Sequence, residues 1–176
     1  VPAKNQPFST LDPITRRVRL PSGDDVLLTD TVGFINKLPP TLVSAFHATL
    51  EGLQDADVLI HVVDASSPFA AEQGLVVENT LSELGMDDRS KLVVLNKMDS
   101  LQQETKTLGK HKYVYSGTTT NGAVPFLPNA RSSDLWNELQ AKHPTVLVSA
   151  SKGWNMDGLL EELQTVLMSE WEARTL

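Results

Sequence analysis

Cysteine is absent from all 176 residues, which excludes a disulfide framework and a thiolate-held metal and fits a reducing compartment, the cytoplasm or the interior of an organelle. No run approaches eighteen consecutive apolar residues, so a membrane-spanning helix is excluded. Basic charge is in deficit: 15 Lys and Arg face 22 Asp and Glu, a net charge of −7. That balance argues against a surface built to wrap DNA, although a local basic patch remains open. A starting methionine is also lacking, and the first dozen residues have neither the basic start nor the apolar run of a secretory signal. The expectation is an excised, processed or truncated chain. What is present is a 40% hydrophobic, compositionally mixed sequence, ample for one α/β domain with a real core.

Residues 1 to 15 are polar and punctuated by Pro2, Pro7 and Pro13, and read as irregular. Arg17 to Leu20 and Val26 to Thr29 flank Pro21-Ser22-Gly23-Asp24-Asp25, the pattern of an antiparallel hairpin. From Leu42, the residues Ala45, Phe46, Thr49, Leu50 and Leu53 recur at helical spacing. Three short runs are apolar without alternation: Val58 to Val63 ending in Asp64, Lys91 to Leu95 ending in Asn96, and Thr145 to Val148 ending in Ser149. Strands buried on both faces look like this. Helical stretches about residues 69 to 85, stopped by Gly85, and 156 to 173 complete an alternation of strand and helix that implies a mostly parallel sheet. The region from about 100 to 143 carries Gly109, Gly117, Gly122, Pro125 and Pro128 with little periodicity, and reads as an insertion.

All three parallel strands end in a polar residue, and ligands of such sheets bind beyond the carboxyl ends of the strands. Asn96-Lys97-Met98-Asp99 is the most informative of these ends. A carboxylate there accepts two hydrogen bonds, matching the ring N–H and exocyclic amine of guanine, and adenine lacks that donor pair. From this composition Asn-Lys-any-Asp is expected about 0.03 times by chance; a solvated turn is the bland alternative. Asp30-Thr31-Val32-Gly33 is weaker alone. Its carboxylate can hold magnesium through water, and the Gly33 N–H can approach a terminal phosphate. A strand-end aspartate with a turn glycine is the equal alternative. Ser149-Ala150 follows the third strand, where backbone N–H groups can meet a base oxygen or simply close a loop of small residues.

The order of these signals is that of a guanine-nucleotide GTPase. Phe8-Ser9-Thr10-Leu11-Asp12-Pro13-Ile14-Thr15-Arg16-Arg17, Leu27 to Ile35, Lys37-Leu38-Pro39, Ala45-Phe46, Ala48-Thr49-Leu50-Glu51 and His61 to Ser66 closely resemble the HflX family of translational GTPases. The resemblance is dense to residue 99, thins through the insertion and resumes at Val148-Ser149-Ala150. It implies a three-layer P-loop NTPase-like α/β domain with an antiparallel hairpin edge, GTP and GDP as ligands, magnesium, and the large ribosomal subunit as partner. It also implies roles: Thr10 as the switch threonine on magnesium and the terminal phosphate, Asp30 to Gly33 as the second switch, Asn96, Lys97 and Asp99 as guanine readers, and Ser149 and Ala150 supporting the base.

The departures matter as much. The phosphate loop Gly-four-any-Gly-Lys-Ser/Thr occurs nowhere in the chain, so the backbone cradle and lysine for the β- and γ-phosphates are not in it. Residues 1 to 176 are therefore expected to be a partial GTPase domain without its first strand, phosphate loop and first helix, inactive as it stands. Phe34 follows the switch glycine, where many GTPases have a water-orienting glutamine, and no residue is identified as the catalytic base. The alternative is a non-catalytic interaction domain that keeps the fold and has lost nucleotide binding. Among other tempting residues, His61 reads as a hydrogen-bonded core histidine, His111 and His143 lack metal-pair spacing, and Arg16, Arg17 and Arg19 read either as a phosphate-touching face or as a solvated strand edge.

Overall fold

The computed structural model describes residues 14–31, 55–86, 88–100 and 141–175. Thr10, Val32, Gly33, Phe34, the helix expected from Leu42 and nearly all of the insertion lie outside the described residues. The chain forms two compact units, Val1–Ala56 and Asp57–Leu176.

In the first unit, β1 (Ile14–Arg19) pairs antiparallel with β2 (Asp25–Asp30), from Ile14 opposite Asp30 to Arg19 opposite Asp25. The expected hairpin is present, longer at its open end than the apolar runs indicate by three residues in β1 and one in β2. Its turn closes because the Leu20 N–H donates to the Asp24 carbonyl at 2.8 Å and the Gly23 N–H to the Leu20 carbonyl at 2.9 Å. Arg19 Nε donates to Asp25 at 3.0 Å, and Arg17 stands 3.7 Å from the same carboxylate. The cationic face is thus partly neutralised by its own strand partner.

In the second unit, β3 (Leu59–Asp64), β4 (Lys91–Asn96) and β5 (Thr145–Leu147) form a parallel sheet in that order. Register pairs Asp64 with Asn96 and Leu95 with Leu147. Side chains alternate between faces, and both faces of β4 are buried: Val93 and Leu95 on one, Leu92 and Val94 on the other. The first face meets α1 (Ala70–Glu83) in a core of Val63, Ala65, Ala70, Ala71, Val93, Leu95, Met98 and Leu147. On the other, α2 (Met156–Thr175) lies against β4 and β5 through buried Leu163, Val166 and Leu167. These two-sided contacts explain why the strands read as unbroken apolar runs rather than alternating ones. Among the described residues no helix is long and apolar enough to cross a membrane.

Helix α1 stops where Gly85 takes a left-handed φ of +69°. The Met86 N–H then reaches back to the Leu81 carbonyl and the Gly85 N–H to the Ser82 carbonyl, both at 2.9 Å. Leu81 and Met86, each 3% exposed, supply the apolar contact that accompanies this C-terminal motif.

Candidate functional site

The carboxyl ends of β3, β4 and β5 carry Asp64, Asn96 and, just past Leu147 and Val148, Ser149. Backbone bonds stitch these ends together: the Ala65 N–H donates to the Asn96 carbonyl at 3.0 Å, and the Met98 N–H to the Val148 carbonyl at 3.2 Å. Met98 itself is buried in the core, so the Asn96 to Asp99 turn is pegged from beneath while Lys97 stays exposed and Asp99 half-buried.

The Asn96 side-chain oxygen accepts from the Lys97 N–H at 2.8 Å and the Ala150 N–H at 3.0 Å. Both of its acceptor directions are therefore spent on backbone. It clips the β4 turn to the β5 loop, and its amide NH2 has no partner among the described residues. The clip also accommodates Lys97, whose φ of +66° is uncommon for a residue with a side chain. The Ala150 N–H, a candidate donor to a base oxygen, is engaged by Asn96 instead.

Ser149 is fully buried and donates its hydroxyl to Asp99 Oδ1 at 2.6 Å, while the Ser151 hydroxyl reaches Asp99 Oδ2 at 3.4 Å. The Ser149 bond, opposed by desolvation and assisted by Ser151 and Lys152, holds the Asp99 carboxyl below the usual carboxylate value. Each serine takes one acceptor direction on its oxygen, leaving one on each for a ligand with two adjacent donors. Ser151 belongs to this group, although its role was not legible from the motif.

Asp64 and Ser66 are the residues the motif reading missed. Lys97 Nζ lies 2.7 Å from Asp64 Oδ2, and Asp64 Oδ1 accepts from the Ser66 N–H at 3.0 Å and its hydroxyl at 2.6 Å. Burial pushes the Asp64 carboxyl up, but the Lys97 and Ser66 bonds outweigh it and hold the group below the ordinary value. The available signal was the polar residue closing each parallel strand.

Of the other expected site residues, Asp30 is the exposed last residue of β2 and Thr31 follows it half-buried. Both belong to the first unit.

A second charged group lies along the α1 face of the sheet. Lys91 Nζ donates to Glu78 Oε2 at 2.8 Å, His143 Nε2 stands 3.6 Å from that oxygen, and His61 Nδ1 is 4.0 Å from Glu78 Oε1. The His61 side chain is buried, and its Nδ1 has no hydrogen-bond partner among the described residues. Burial lowers its pKa to about 4, with Glu78 opposing and Lys91 and His143 adding to the shift. His143 and Lys91 bring Glu78 down to about 2 against its own desolvation. Among the described residues no group of three or more His, Cys, Asp or Glu could hold a metal ion.

A family profile described as 50S ribosome-binding GTPase matches residues 1–97. The GTPase HflX of Caldanaerobacter subterraneus is 43% identical over 133 residues, covering 76% of this chain and 31% of that protein. The GTPase HflX of Spirochaeta thermophila is 34% identical over 173 residues, covering 98% of this chain and 35% of that protein. The chain thus spans about a third of the length of these curated relatives. Among solved structures, a GTP-binding protein from Sulfolobus solfataricus in complex with GDP superposes with a TM-score of 0.64 at 24% identity, covering 89% of this chain and 45% of that one. That likeness establishes the fold as P-loop NTPase-like; in the described residues the parallel sheet and the antiparallel hairpin are separate sheets. With half the chain matching the profile and curated relatives aligned along nearly its whole length, the chain belongs to the 50S ribosome-binding GTPase family and, within it, to the HflX GTPases.

Proposed function

We propose that the Asn96 to Asp99 turn and the Ser149 to Lys152 loop form the guanine pocket of a GTPase domain, of which residues 1 to 176 are a part carrying an insertion at about 100 to 143. The observation that supports this best is Asp99, ionised and braced by Ser149 and Ser151 with an acceptor direction left on each oxygen. In this reading Asp99 takes the ring N–H and the 2-amino group of guanine. Asn96 fixes the turn and offers its NH2, Lys97 flanks the base, and Ser149 with Ala150 holds the opposite loop in place. Asp30 to Gly33 act as the second switch. Asp30 is a single hard-oxygen donor at the end of a strand, which suits a magnesium ion that keeps most of its water. Thr10 is the matching switch threonine. When bound, magnesium supplies charge neutralisation at the phosphates. The complete protein is read as hydrolysing GTP and engaging the large ribosomal subunit, in the cytoplasm or inside an organelle.

The test is nucleotide selectivity of the 176-residue chain. GMP is expected to bind at least about tenfold more tightly than AMP, one good hydrogen bond's discrimination, and to shift the amides of residues 96–100 and 149–152. Asp99→Asn replaces one acceptor by a donor and should move preference from GMP to XMP. Equal binding of GMP and AMP, or an unchanged preference in Asp99→Asn, overturns the reading and favours a fold retained for interaction alone.

A further inference from the structure

Asn155 performs two separable tasks where the loop after β5 enters α2. Its backbone takes a left-handed φ of +55°, a conformation asparagine tolerates better than most residues with a side chain. Its carbonyl accepts the Leu159 N–H at 3.1 Å as α2 begins. Its side-chain Nδ2 donates to the Leu147 carbonyl at 2.9 Å. Val148 turns its N–H to Leu95 and its carbonyl to Met98, so by alternation along the strand the Leu147 carbonyl points away from β4. Among the described residues β5 is an edge of its sheet, and the asparagine amide stands in for a neighbouring strand at that carbonyl.

That bond closes a circuit. Ser149 and Trp154 exchange two backbone bonds, at 3.2 and 3.0 Å. Asn155 follows Trp154, and its amide returns to Leu147, just ahead of Val148 and Ser149. Ser149 is thus held from both sides, with its hydroxyl on Asp99. Gly158 leaves the room for the amide, since a Cβ there would collide with Asn155 Oδ1. Glycine inside a helix is less favourable than alanine, and what the first turn of α2 gains from it is space for that side chain.

We propose that Asn155 is a positioning residue of the guanine pocket: its amide, seated over Gly158 and bound to the Leu147 carbonyl, fixes the loop in the place from which the Ser149 hydroxyl reaches Asp99. The inference rests on the guanine reading of Asp99 and extends the support of the pocket to a residue that acts only through Ser149.

The experiment follows the Asp99 carboxyl carbon shift against pH, and GMP and AMP dissociation constants, by NMR. It uses the 176-residue chain and its Asn155→Gly, Gly158→Ala, Asn155→Gly/Gly158→Ala, Ser149→Ala and Ser149→Ala/Asn155→Gly variants. Glycine keeps the left-handed backbone without strain and removes only the amide. Asn155→Gly should move the Asp99 titration up toward the ordinary carboxylate range, because the Ser149 bond is the main cause of its depression. It should also lower GMP over AMP discrimination at least about twofold, the lower end of coupling within one hydrogen-bond network. Added to Ser149→Ala, it should change neither quantity further. Gly158→Ala should reproduce both effects by displacing the amide, and should add nothing once Asn155→Gly has removed it. A merely structural role would lower the unfolding midpoint and leave the Asp99 titration where it is, and that result overturns the proposal. So does an equal effect of Asn155→Gly with and without the Ser149 hydroxyl. Should Asn155→Gly fail to fold, Gly158→Ala decides, and an unmoved Asp99 titration there removes the role. An unaltered chain without preference for GMP over AMP sinks the guanine reading and this proposal together. A clear preference, with the Asp99 titration unmoved in Asn155→Gly, sinks only the proposal.

Discussion

Ser149 and Asp99, 50 residues apart in sequence, are joined by a 2.6 Å bond from a hydroxyl with no solvent exposure to a carboxylate at the rim. The donor cannot turn to water, so the acceptor's orientation is set by the core.

Removing that donor should be legible in two ways. Ser149→Ala is expected to raise the Asp99 pKa toward the ordinary carboxylate value, because the Ser149 bond is the main cause of its depression. It should also lower GMP over AMP discrimination several-fold, because the lost bond is the one that fixes the Asp99 carboxylate. Carboxyl carbon shifts of Asp99 against pH check the first, and competition titrations the second. In the unaltered chain, guanine binding should be lost at a lower pH than in Ser149→Ala, since the Asp99 carboxyl is held below its ordinary value.

The phosphates should add little. Because the sequence holds no Gly-four-any-Gly-Lys-Ser/Thr segment, GTP with magnesium and GMP are expected to bind this chain within about threefold of each other, in the absence of the backbone cradle that neutralises β- and γ-phosphates. Isothermal titration of both ligands decides it. A GTP affinity in the micromolar range with GMP far weaker would contradict the expectation.

Acid should loosen the second unit in two steps. His61 is lowered in the fold from 6.5 to about 4, so between those values the unfolded chain binds more protons and stability falls as pH drops. Glu78 is lowered from 4.5 to about 2, and stability falls again through that lower window by the same sign. Urea midpoints between pH 7 and 3 should decline accordingly. Glu78→Gln leaves the buried Lys91 ammonium, whose side chain is 3% exposed, without its counter-charge, and is expected to cost roughly 3–5 kcal/mol at neutral pH.

Two glycines should respond to alanine for different reasons. At Gly85 a Cβ meets nothing within 4 Å among the described residues, so Gly85→Ala is expected to cost the left-handed backbone, about 1 kcal/mol. At Gly158 a Cβ would collide with Asn155 Oδ1, while Asn155 Nδ2 donates to the Leu147 carbonyl at 2.9 Å. Gly158→Ala should therefore disturb the end of β5 next to Ser149, and amide exchange at residues 147–150 should quicken more than in Gly85→Ala.

The strands were legible because burial on both faces leaves a compositional trace, unbroken runs such as Leu92 to Leu95. The Asn96-Lys97-Met98-Asp99 turn was legible because its chemistry is carried by adjacent residues. Asp64 acting on Lys97 was not, since their meeting depends on the parallel register that sets Asp64 beside Asn96. Nor was the Glu78 group: residues 61, 78, 91 and 143 come from two strands, a helix and the approach to β5, and no local spacing announces them. For His61 too, an apolar strand predicts burial and says nothing of what faces the ring.

Met98 occupies the one variable place in the recognition tetrapeptide, yet its side chain is part of the same core as Val63, Leu95 and Leu147. Nucleobase choice and thermal robustness are therefore not separable traits here. An underpacking change deep in the interior would surface as sloppy discrimination at the rim well before the chain unfolds, and anyone re-engineering the pocket for a different purine inherits the interior as a design variable.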